Sequence, residues 1–209
     1  MHVNPIILLL TIILIVVFIV LRRRQAAQSG EKKPSKPKAS GPVSPRPPKP
    51  EKKPEEVFMD VRQQALATLP ESVGMTGQFA PDEPYGALME MWIADSVVTL
   101  ACFANGDATF CFRTGGGMSG GGGHEPVRKA AQAFVALAQK ALPAMSPAVD
   151  QPLPDRDRVR FYALTPHGIL TTETGREALG DGDNALAPLF YAGQEVVTQM
   201  RQVQGQRAR

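Results

Sequence analysis

Cysteine is scarce: the 209 residues contain two, Cys102 and Cys111. Two cysteines make neither a disulfide framework nor a cysteine-rich metal site. Only three histidines are present, and His124 and His167 alone lie beyond the N-terminal region. A zinc centre needs three or four protein ligands, so no metal and no cofactor is expected. Positive charge is missing where a nucleic-acid-binding domain would need it. Residues 22–56 hold 11 Lys/Arg against 4 Asp/Glu, which leaves 12 basic and 16 acidic residues for the rest of the chain. The overall charge of +3 thus combines a basic segment with an acidic domain, and a nucleic-acid partner is disfavoured. No internal repeat is visible, and no Gly-Lys-Ser/Thr follows the glycines as a Walker loop requires.

The one long apolar run is Ile6 to Leu21, interrupted only by Thr11 and followed at once by Arg22, Arg23 and Arg24. Sixteen residues at about 1.5 Å each give about 24 Å, and Val3 to Pro5 bring the length close to a bilayer core. The basic flank lies on the wrong side for a cleaved signal peptide. We read residues 5–21 as a transmembrane helix in the lipid bilayer. The positive-inside rule then leaves residues 1–4 as a short external tail and the rest of the chain in the cytoplasm, a single pass through the membrane. Residues 22–56, with prolines at 34, 37, 42, 45, 47, 48, 50 and 54, read as a disordered Pro/Lys linker of extended polyproline character.

Residues 57–209 read as one domain. Val57, Phe58, Val61, Ala65 and Leu69 recur at helical spacing before Pro70, and 71–84 reads as loop. Tyr85–Ile93 reads as a strand. Val97–Phe103 and Asp107–Arg113 flank Asn105-Gly106, the sequence of a two-residue type I′ turn. That turn pairs Ala104 with Asp107, Cys102 with Thr109 and Leu100 with Cys111. Phe103, Phe110 and Phe112 then share one face, and both cysteines share the other at a diagonal of roughly 7–8 Å, beyond disulfide reach. A helix follows with Val127, Ala130, Ala131, Phe134, Ala138 and Ala141 on one side. A second hairpin, Arg158–Leu164 and Ile169–Glu173, turns at Thr165-Pro166-His167-Gly168. The last helix spans about Pro188–Gln204. The order predicts an α+β fold: a mainly antiparallel five-stranded sheet with helices packed on it, preceded by the transmembrane helix and the linker.

Thr114 to His124 is the unusual stretch, with seven glycines among the ten residues before His124. Glycine is costly to order, so an ordered run implies positive φ, close backbone approach or exposed N–H groups. The candidate binding residues are Thr114, Gly115, Gly116, Gly117, Ser119, Gly120, Gly121, Gly122, Gly123, His124 and Arg128. Gly115-x-Gly117-x-x-Gly120 fits a dinucleotide fingerprint, but it lacks the parallel βαβ unit and the acidic ribose partner. A weaker form survives, in which N–H groups at a helix N-terminus hold a phosphate beside Arg128. Gly117-Met118-Ser119-Gly120-Gly121 fits a nucleophile elbow, with His167 the only downstream histidine. His124 and Glu125 are an acid/base candidate pair. Asp181-Gly182-Asp183-Asn184 lacks the later calcium ligands and reads as a turn.

Three stretches taken together resemble a family of small bacterial α+β domains with a glycine-rich TGGGxxGGGGH loop and no assigned function. They are Phe112 to Ala131, Arg158 to Thr165 and Leu189 to Gly193. The resemblance covers residues 57–204 and implies a self-contained domain with the glycine loop as its hallmark. It assigns no catalytic residue. The expected function is binding: a membrane-tethered cytoplasmic adaptor that contacts a protein partner through the glycine loop. The alternative is a sensor of a phosphorylated small molecule or nucleotide, and third comes a small hydrolase. Converging N–H groups would favour the ligand reading, whereas an apolar patch on Phe103, Phe110 and Phe112 or on the last helix would favour the partner.

Overall fold

The computed structural model describes residues 52–74, 80, 82–180 and 183–207. The expected membrane span, most of the expected linker, and Asp181 and Gly182 of the turn lie outside the described residues. Among the described residues no helix is long and apolar enough to cross a membrane.

Helix α1 (Pro54–Leu66) starts three residues before the expected domain boundary. Pro54 sits in its first turn, where a missing N–H costs nothing. Glu56 accepts a hydrogen bond from the Lys53 N–H, and Glu55 and Glu56 complement the helix dipole. Its buried side is Phe58, Arg62, Ala65 and Leu66. This corrects the expected face, because Val57 and Leu69 stand exposed.

The sheet has seven strands, not five: β1 (Gly86–Ile93), β2 (Ser96–Phe103), β3 (Ala108–Phe112), β4 (Gly117–Ser119), β5 (Ser146–Pro147), β6 (Arg158–Thr165) and β7 (Gly168–Gly175). Their order is β4-β3-β2-β1-β6-β7-β5, and every pairing is antiparallel. The two extra strands are short edges made of residues poor in strand propensity, glycine in β4 and proline in β5. Helix α2 (Glu125–Ala141) and helix α3 (Ala187–Arg207) cover one face. There Val127, Phe134 and Ala138 of α2 and Leu189, Val196 and Met200 of α3 pack on Met89, Leu100, Phe110 and Phe161. On the opposite face Ala65 and Leu66 of α1 cluster with Leu88, Ala101, Phe103, Tyr162 and Leu164. The central strands are covered on both sides, so β2 is buried from end to end.

The first hairpin corrects the expected register. Gly106 N–H bonds to Phe103 O and Phe103 N–H to Asp107 O, with Gly106 at φ 91°. This is a three-residue loop with a glycine bulge rather than a two-residue turn. Cys102 therefore pairs with Ala108 and Leu100 with Phe110, one residue off the expected register. A one-residue slip sends side chains to the other face. Phe103 joins the α1 face, while Phe110 and Phe112 sit edge to face at 5.0 Å on the side of α2 and α3. Cys102 lies on that side too. Cys111, opposite Thr99, donates to the Thr99 carbonyl, so the two thiols do not share a face.

Candidate binding groove

The glycine run is built into the sheet. Gly115 N–H bonds to Phe112 O and Phe112 N–H to Gly116 O, with Gly115 at φ 103°. This is the same bulged three-residue loop as in the first hairpin. It returns the chain as β4, which pairs with β3 through Phe110–Met118 and Cys111–Gly117. Gly117 is required there: a Cβ would overlap the Phe110 carbonyl oxygen and lie 2.9 Å from the Cys111 Cα. Only a residue without a side chain lets β4 approach β3.

Beyond β4, Gly121–Gly123 form a short 3-10 turn that leads into α2. Gly121 is buried against Val127, and Gly122 lies against the Asp107 carboxylate. His124 N–H bonds back to Gly121 O, and Arg128 donates to Gly122 O at 3.2 Å while its stem packs over Gly106. Glu125 opens the helix and pairs with Lys129. The N–H of His124 and the guanidinium of Arg128 are thus engaged inside the protein, with two carboxylates close by. This is poor geometry for holding a phosphate. Ser119 is exposed on β4, while His167 lies in the β6–β7 turn, more than four strand spacings, or about 19 Å, away across the sheet. The fold does not bring that pair together. Ser119 and His124 do line one small cleft of about 240 Å³, against Met200 and Val203 of α3. Among the described residues no group of three His, Cys, Asp or Glu could hold a metal.

The larger cavity, about 670 Å³, lies on the other side of β4, and sequence reasoning missed it. It is a groove between α1 and the outer sheet, lined by Val57, Phe58 and Val61 of the helix, Ala101 and Phe103 of β2, and Cys111 of β3. The backbone of Gly115 to Ser119 forms its far wall. α1 covers the middle of the sheet and stops short of β3 and β4, which leaves Val57 46% exposed at the rim. One end is closed where Pro54 would touch a Cβ on Gly115 at 3.0 Å and Arg113 pairs with Glu55. Burial, and secondarily the Glu90 charge, pushes the Cys111 thiol up to about 11, so it is a poor nucleophile at neutral pH. The signal in the sequence was the pair Val57 and Val61, which continue the apolar stripe past the width the core uses.

Beneath α1 lies a buried polar network. Arg62 grips Glu90 with two bonds, 2.6 Å from Nε and 2.9 Å from Nη2. It also donates to the Tyr162 hydroxyl at 3.1 Å. Thr99 donates to Glu90 at 2.8 Å, and Tyr162 donates to the Pro152 carbonyl at 3.0 Å. Desolvation and the Glu90 charge push the Tyr162 phenol up to about 12. None of these four side chains leaves a buried polar atom without a partner, which reads as architecture rather than a reactive centre.

No protein family, curated protein or solved structure matches the chain. The groove's function therefore rests on its geometry and chemistry.

Proposed function

We propose that this chain is a membrane-tethered adaptor. Residues 5–21 anchor it in a bacterial inner membrane, the Pro/Lys segment spaces it from the bilayer, and the domain binds a protein partner in the cytoplasm. The observation that carries this reading is the position of the glycine run. It forms the outermost strand of the sheet and borders an apolar groove. An edge strand offers unpaired backbone donors and acceptors to a further chain, and an adjacent apolar groove supplies pockets for that chain's side chains. The phosphate-sensor reading ranks lower, because two carboxylates flank the glycine turn and its cation already bonds to Gly122 O.

A photo-crosslinking side chain at Ser119, on the exposed edge, tests the reading in cells. Its control sits at Thr198, exposed on α3. The expected result is a discrete crosslinked protein from position 119 and none from 198. Products of equal intensity from both positions, or from neither, would overturn it. Deleting residues 1–21 should move the protein from the membrane fraction to the soluble one.

A further inference from the structure

The edge strand has a pocket on each of its faces. Gly117, Met118 and Ser119 line both the groove of about 670 Å³ beside α1 and the cleft of about 240 Å³ beside α3. Met118 lies opposite Phe110 and packs on the α2 and α3 side, so Gly117 and Ser119 fall on the groove side. The bonds of Phe112 with Gly115 and Gly116 close the turn, and the antiparallel ladder alternates from there. Phe110 and Met118 therefore exchange both bonds, which turns the N–H and C=O groups of Gly117 and Ser119 towards the open edge. We propose that β4 accepts an acidic-flanked peptide strand, added antiparallel, that reads threonine or serine, then a small aliphatic residue, then an aromatic one. This rests on the edge being the partner site, as argued above, and adds the sequence chemistry of the segment it takes.

Each position of that segment follows from what it meets. An added strand lies about 4.8 Å from β4, with successive side chains on opposite faces. Its residues opposite Gly117 and Ser119 point to the groove, and the one between them points to the cleft. Gly117 has no side chain, and an aromatic ring on the neighbouring strand is the device that covers an edge glycine. Phe58, Val61 and Phe103 give the groove its apolar lining for that ring. At the other end Thr109 pairs with Ser119, and a hydroxyl opposite Ser119 extends this row across the strands. The cleft is much the smaller pocket, lined by Val127, Met200 and Val203, and suits a residue of valine size. Every pairing in the sheet is antiparallel, and the same direction continues it. Charge fits as well. The chain outside residues 22–56 holds 16 acidic residues, yet no carboxylate lines either pocket, whereas Lys52 and His124 do. Acidic flanks on the segment are therefore attracted and basic ones are not.

The probe is a dye-labelled peptide, Asp-Thr-Val-Phe-Asp, blocked at both ends and titrated with the full-length chain in lipid nanodiscs. Fluorescence anisotropy reads its binding, and the changes are made in the peptide, so no variant has to fold. Methylating the threonine or the phenylalanine nitrogen removes a bond to β4 and should weaken binding about tenfold. The valine nitrogen points away from β4, and methylating it should change the affinity by less than about twofold. The reversed peptide, Asp-Phe-Val-Thr-Asp, has the same composition and should bind about tenfold more weakly, because its ring falls opposite Ser119. Lysine in place of both aspartates should weaken binding at low salt, with the difference fading at about 1 M. Equal losses at all three nitrogens, tighter binding of the reversed peptide, or no binding of the parent up to about 1 mM overturns the inference. A crosslink from Ser119 beside any of those results keeps a partner on the edge and removes only this sequence chemistry. The expected methylation pattern without a crosslink does the reverse: it upholds the strand chemistry and removes the partner in cells.

Discussion

Arg62 and Glu90 are 3% and 0% exposed, and two hydrogen bonds join them. Removing a charge from water costs several kcal/mol, and only a close partner with full hydrogen bonding compensates. Thr99 and Tyr162 complete that bonding. Substituting one partner should therefore be worse than substituting both. Arg62→Met leaves Glu90 buried and uncompensated and should lower the free energy of unfolding by about 3–5 kcal/mol. Adding Glu90→Leu should recover most of the loss. Urea unfolding of the single and double variants measures this, and a double variant as unstable as the single one would show that the pair contributes through something other than charge. The network was visible in the sequence only in hindsight. Glu90 is the one charge in Met89-Glu90-Met91, and Arg62 falls in the stripe of Phe58 and Ala65, so each looked like an accident until the sheet and α1 were stacked.

At the scale of elements, the glycine strand separates two kinds of glycine. At Gly117 a Cβ would meet backbone atoms of Phe110 and Cys111, whereas at Gly123 nothing lies within 4 Å, and its φ is not in the positive range. Gly117→Ala should cost about 1–3 kcal/mol through overpacking against a backbone that cannot yield. Gly123→Ala should be neutral or stabilising by about 0.4–1 kcal/mol, because it restricts the unfolded chain. Thermal unfolding distinguishes them, and equal costs would mean that β4 does not hold its pairing. Element types were readable because helix and strand periodicities are long-range and redundant: α2 and the β6–β7 hairpin appear where Val127–Ala141 and Thr165–Gly168 predict. Register was not, because one turn residue decides it. The Asn105 side chain accepts the Asp107 N–H and donates to Val73 O, which fits Asn105 into a three-residue loop instead of the two-residue turn its sequence suggests. β4 was unreadable because glycine carries no strand signal, and its pairing is set by the partner strand and the Gly115 bulge.

At the scale of the whole domain, α1 is a structural layer and not the end of a linker. It covers Leu88, Ala101, Tyr162 and Leu164, provides the only cation bonded to Glu90 among the described residues, and forms one wall of the groove. Its start at Pro54 is fastened to the β3–β4 turn by the Arg113–Glu55 pair. The chain before Lys52 therefore joins the domain at the layer that forms one wall of the groove. A chain beginning at Gly74 should consequently fail to fold alone, since it exposes an apolar sheet face and leaves Glu90 buried without a counter-charge. We expect it to bind a hydrophobic dye and to lack a cooperative unfolding transition, as states without fixed packing do. A chain beginning at Lys52 should unfold cooperatively, with the midpoint of the full-length protein. If the Gly74 chain unfolded at the same midpoint, α1 would be a detachable arm and the groove a gap between independent parts. The buried Arg62–Glu90 contact argues for the opposite outcome, in which the groove exists only while helix and sheet fold as one unit.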